Sequence, residues 1–129
     1  MGKEEYILKL GMLEQEFGRL QQQMQIIEQQ ILELQGLQIG LQELEKTEEK
    51  QMLANLGKGV FIKTEILDKE LLVDIGNRIF VKKDISKTTE LIEEQLEKLI
   101  EARTQIIEKM QGFQEQMEKI IVEAEKAKE

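Results

Sequence analysis

The chain has 129 residues, 34% of them charged, with no His, Cys or Pro; 26 Asp and Glu outweigh 18 Lys and Arg, for a formal net charge of −8. Without Cys there are no disulfides or thiolate metal sites, and without His the side chain most used for proton transfer near neutral pH is missing. An acidic chain with no basic stripe does not suit phosphate backbones, and no apolar run approaches the roughly 18 residues of a membrane span, so neither nucleic acid nor membrane is an expected partner.

The first predicted element is a long helix over about 3–47. Tyr6, Leu10, Leu13, Phe17, Leu20, Met24, Ile27, Ile31 and Leu34 keep an unbroken spacing of three and four residues, while Gly11, Gly18, Gly36 and Gly40 lie off that seam. A straight helix drifts away from such a stripe, so the spacing predicts a left-handed supercoil with a partner helix. Near Leu34 the pattern slips: Leu34, Leu37, Leu41 and Leu44 run in a new phase while Gln38 occupies the old one, which predicts a stammer there.

Over about 50–84 the period changes to two. Val60 to Ile66, Leu71 to Ile75 and Ile79 to Lys83 alternate, and Met52 to Leu56 closes on Gly57-Lys58-Gly59; with a second turn at Gly76-Asn77 this predicts two successive β-hairpins. Val60, Ile62, Val73, Ile75, Ile79 and Val81 are expected on one apolar face and Phe61, Leu72 and Phe80 on the other. A sheet this small cannot bury both faces with its own chain, and its open edges invite strands from other chains, so sheet-mediated assembly is the expectation; the alternative folds the hairpins back on their own helices.

The second helix is predicted over about 87–127, with candidate caps among Ser86, Lys87, Thr88 and Thr89. Its seam is Ile92, Leu96, Leu99, Arg103, Ile106, Met110, Phe113, Met117, Ile120 and Ala124. If the chain folds back about its middle so that both arms have equal length, paired residue numbers sum to about 130: Leu10 meets Ile120, Leu13 meets Met117, Phe17 meets Phe113, and Arg103 faces Ile27, its head free to snorkel toward Glu28. A slip by a whole heptad keeps the spacing, and only the equal arm length selects this sum.

Charge divides with the elements. The first 47 residues hold four basic and eight acidic side chains, 48–85 seven of each, and 86–129 seven and eleven. Glu4, Glu5, Glu93 and Glu97 are read as a solvated helix exterior, and Gly57-Lys58-Gly59 lacks the spacing of a phosphate-binding loop. No catalytic, metal or cofactor residue is predicted, and an enzyme is not expected. The arm ends differ from the rest in carrying more apolar residues than one seam can bury: Tyr6, Ile7, Leu8, Leu10, Met12 and Leu13 on one helix and Met117, Ile120, Ile121 and Val122 on the other. The surplus is expected only there, and it suits either loose capture of unfolded chains or a broad core stripe with ordinary fraying.

A long helix, the strands LGKGVFIKTEIL and LLVDIGNRIFVKKD, then a second long helix together resemble the alpha-type subunit of prefoldin, the archaeal and eukaryotic subunit-5-like family. The resemblance spans essentially the whole chain and is most specific at Leu72 to Gly76 followed by Phe80 and Val81. It implies one prefoldin-like domain over 1–129, a mainly α member of the α+β class: an antiparallel two-helix coiled coil with two central β-hairpins that assemble into an oligomeric β-barrel body. Val60, Phe61, Ile62, Leu72, Val73, Ile75, Ile79, Phe80 and Val81 would form that interface. Further implied are a hetero-hexamer with a second alpha-type copy and beta-type subunits, ATP-independent capture of unfolded clients at the arm ends, delivery to a group II chaperonin, no cofactor, and a cytoplasmic setting. The start MGKEEY, with no export core and with Tyr6 in place of the Ser or Thr of a myristoylation signal, fits that setting. A coiled-coil scaffold or filament-forming relative is the alternative.

Overall fold

The computed structural model describes residues 2–127; Met1, Lys128 and Glu129 of the domain expected over 1–129 lie outside the described residues. Its elements are α1 (Lys3–Lys46), β1 (Gln51–Gly57), β2 (Val60–Glu65), β3 (Leu71–Asp74), β4 (Phe80–Lys83) and α2 (Ile85–Ala127). This is the expected mainly helical α+β class, two long helices with two small hairpins. The chain divides into two compact units.

The first unit joins α1 up to Glu33 with α2 from Leu96. The two helices run antiparallel, because Lys9, Met12 and Leu13 near the start of α1 share a depression with Gln116, Lys119 and Ile120 near the end of α2. A slip of one heptad would instead bring Leu13 to Met110 or Ala124, so the grouping supports the register in which paired numbers sum to about 130. Leu20 is only 2% exposed, and Ile31, Leu96 and Ile106 are also buried. The other expected seam residues of this unit, including Phe17, Met24, Ile27, Met110, Phe113 and Met117, are half-buried. Two helices alone cover each seam residue from one side, which is why burial is deep at only a few positions.

The second unit comprises residues 34–95. Here α1 keeps its original phase longer than its leucines suggest: Gln38 is half-buried and Leu41 buried, whereas Leu37 is exposed. The phase changes one turn later, where the half-buried residue after Leu41 is Leu44, three positions on. The stammer expected at Leu34–Leu37 is thus displaced, because continuity of the helix surface outweighs the preference of one leucine for cover.

α2 begins at Ile85, two residues before the predicted start, and its cap is Asp84 rather than any residue from Ser86 to Thr89. The Asp84 carboxylate accepts a hydrogen bond from the Lys87 backbone N–H at 2.7 Å, satisfying one of the donors left open at a helix start. Thr88, buried, donates its hydroxyl to the Asp84 carbonyl at 2.9 Å. Ile85 and Ile92 are buried below this cap.

The hairpins form two separate two-stranded sheets, β1–β2 and β3–β4, so the six residues expected on a single apolar face are split between them. In the first, Ala54 stands opposite Ile62 and Asn55 opposite Phe61, with a bulge before Gly57 that leaves Leu56 unpaired. In the second, Val73 stands opposite Val81 and Leu72 opposite Lys82. Gly57 (φ 114°) and Gly76 (φ 125°) open the two turns in conformations that side chains rarely adopt. Asn55 Oδ1 accepts from the Gly57 N–H and Asp74 Oδ1 from the Gly76 N–H, each at 2.8 Å, so both turns close on the same device.

Candidate functional site

The arm ends combine a covered seam with an uncovered rim. Tyr6, Leu10, Leu13, Met117 and Ile120 are half-buried in the seam. Ile7, Leu8, Met12, Ile121 and Val122 are exposed, Leu8 at 66%. The spacing explains the division: Ile7 and Ile121 each follow a seam residue directly, while Leu8, Met12 and Val122 fall further round the helix. Chemically such a rim offers adaptable, water-facing apolar contact and nothing that makes or breaks bonds.

Exposed apolar side chains are not confined to those ends, contrary to expectation. In the first unit Ile26, Leu32, Ile100 and Ile107 are exposed as well, Leu32 at 68%. Ile100 and Ile107 lie seven residues apart and next to seam positions, so they widen the core stripe of α2. Met12, Ile26 and Leu32 lie on the side of α1 away from its seam. The fourteen-residue interval between Met12 and Ile26, two heptads, was the available signal for this second stripe.

The hairpins present the larger apolar surface. Every large apolar side chain from Met52 to Ile62 is exposed: Met52, Leu53, Leu56, Val60, Phe61 and Ile62. In the second hairpin Leu72, Ile75, Ile79 and Phe80 are exposed, and only Val73 and Val81 among the expected interface residues are half-buried. Alternation puts Val60 and Ile62 on one face of the first sheet and Phe61 with Leu53 on the other, so neither face is covered. Each two-stranded sheet also leaves the outer edges of its strands open to further pairing.

Arg103 is half-buried at its seam position and forms no ion pair with Glu28 among the described residues. An open groove in the second unit alternates charges, with Glu70, Asp84, Glu90 and Glu94 among Lys69, Lys82, Lys83 and Lys87. Among the described residues no group of three or more His, Cys, Asp or Glu is placed to hold a metal ion. No helix among them is long and apolar enough to cross a membrane.

A family model for prefoldin subunits matches residues 13–129. The chain belongs to the prefoldin family. A solved structure of filamentous PFD from Methanocaldococcus jannaschii, obtained by cryo-EM, is 21% identical, with a TM-score of 0.49 over 93% of this chain and 95% of that one. No curated protein matches the chain. The prefoldin match takes in both hairpins, all of α2, and α1 from Leu13 onward.

Proposed function

We propose that the chain is an alpha-type prefoldin subunit that works as an ATP-independent holdase. Its two hairpins associate with a second alpha-type copy and with beta-type subunits to build the β-barrel body of a hetero-hexamer. The arm ends, through Ile7, Leu8, Met12, Ile121 and Val122 above the half-buried Tyr6, Leu10, Leu13, Met117 and Ile120, hold non-native proteins, which pass to a group II chaperonin in the cytoplasm. The presence of two hairpins rather than one supports the alpha type.

The observation that carries this reading is the uncovered hairpin surface. Large apolar side chains lie in water on both faces of the first sheet, at Met52, Leu53, Phe61 and Ile62, and on one face of the second, at Leu72 and Phe80, with Ile75 and Ile79 exposed at its turn. Burying a side chain of that size is worth about 1.5–3 kcal/mol, so a body that covers several of them on each subunit outweighs the cost of association. The acidic exterior of the arms keeps the assembly soluble, and the apolar rim at their ends offers an unfolded chain contact.

The test mixes the purified chain with a beta-type prefoldin subunit and dilutes a chemically denatured client into the mixture without nucleotide. A stable complex that holds light scattering down is the expected result. A chain that stays monomeric with its partner and leaves aggregation unchanged contradicts the proposal, and electron microscopy of the same sample separates discrete particles from filaments.

A further inference from the structure

The C-terminus of α1 is closed by a residue distant in sequence. Lys69, in the segment between β2 and β3, donates from Nζ to the carbonyl oxygens of Glu45 at 3.1 Å and Thr47 at 2.9 Å. α1 ends at Lys46, so the Glu45 carbonyl is one of those that a helix end leaves without an intrahelical partner, and the negative end of the helix dipole lies there. An ammonium at this place satisfies two acceptors and meets the dipole with opposite charge. Lysine is common on the last turn of a helix, but from its own helix it spends its charge locally; here it comes from another element and ties that element down.

The same short segment is fastened at one further point and braced by a turn of its own. The Ile66 N–H donates to the Lys50 carbonyl at 2.6 Å, and the Glu70 N–H to Asp68 Oδ1 at 2.9 Å. Between these bonds Ile66 is half-buried while Leu67 stands 88% exposed. The two sheets share no ladder, so this segment is what joins one hairpin to the next.

We infer that Lys69 is a charge-dependent latch: its ammonium holds the connector between the hairpins on the carbonyl end of α1, and loss of that charge releases the connector and the last turn of the helix together. The latch acts within one chain and does not depend on assembly. Its use, to set where the hairpin surfaces are presented to a partner, rests on the proposed function above.

Amide hydrogen exchange of the parent chain, Lys69→Met and Lys69→Arg tests it. Methionine keeps an unbranched stem and removes every donor; arginine keeps charge and donors. In Lys69→Met the amides of Thr47 and Ile66 should exchange roughly threefold faster or more, the size expected of a helix-terminal charge, while those of Ile31 and Ile106 keep the parental rate. Lys69→Arg should recover most of the protection. Parental exchange at Thr47 and Ile66 in the Met variant would overturn the latch, as would acceleration equal at all four amides, which marks global loosening. An arginine variant no better protected than the methionine one would overturn its dependence on charge. Because exchange is read on the isolated chain, failure of the latch is distinguishable from failure of assembly.

Discussion

Leu37 and Gln38 are neighbours in α1 with opposite surroundings: Leu37 is 49% exposed, whereas Gln38 is half-buried on the seam side. A partly covered amide gives up water without gaining apolar contact, while the adjacent leucine keeps about half of its surface in water. Gln38→Leu should therefore stabilise the chain, by about 0.5–1.5 kcal/mol for half-burial of an apolar side chain, and Leu37→Gln should cost less than that gain. Thermal unfolding of both variants checks this. An unchanged or lowered Tm for Gln38→Leu contradicts the phase assigned to α1.

The start of α2 supplies a second test. Asp84 alone places a carboxylate on the Lys87 N–H, so Asp84→Ala should cost about 1 kcal/mol, whereas Ser86→Ala, on an exposed residue inside the first turn, should cost almost nothing. Denaturant unfolding that ranks the two the other way round would show that the cap lies where the sequence first suggested.

Much of the fold was legible because its signals repeat. Ten α2 positions at three-and-four spacing, from Ile92 to Ala124, all end buried or half-buried, since a heptad pattern leaves one face for each residue. The hairpins were legible from period two and from Gly57 and Gly76, whose backbone angles few other residues tolerate. What escaped depends on single long-range or local choices. In the sequence Asp84 does not stand out from the four candidate caps that follow it, and nothing there marks Lys69 as the lysine that reaches a helix end more than twenty residues away. The exposed Ile26, Leu32, Ile100 and Ile107 escaped because they lie off the seam, and a three-and-four spacing selects only the residues on it.

Assembly through the hairpins predicts a specific failure. Phe61 and Phe80 lie on different sheets, both exposed, opposite Asn55 and Asp74 respectively. Changing both to Ser removes two large apolar contacts per subunit without touching a helix. Sedimentation velocity should show smaller species than the parent, with helical circular dichroism retained. A parental oligomer from the double variant would mean that association does not use these faces.

The helix register is open to a chemical test. With Phe17→Cys and Phe113→Cys together, oxidation should close an intrachain disulfide far faster than in chains pairing Phe17→Cys with Ile106→Cys or Ile120→Cys, which sit one heptad to either side. A disulfide needs Cα atoms within about 7 Å, and one heptad is about 10 Å along a helix. Equal rates for the three pairs would contradict the register.

The claim that the arm ends hold clients is tested most directly by light scattering of a denatured client in the presence of the assembled complex. Two variants of this chain are compared with the parent: Ile7→Ser, Leu8→Ser, Ile121→Ser and Val122→Ser together, and Ile26→Ser, Leu32→Ser, Ile100→Ser and Ile107→Ser together. All eight positions are exposed, none lies in the strands, and both sets remove the same kind of surface. Loss of several apolar contacts at about 1 kcal/mol or more each should abolish most suppression of aggregation in the first variant, while the second retains it. If the first variant assembles and suppresses aggregation as well as the parent, the arm ends do not hold the client and the account is contradicted.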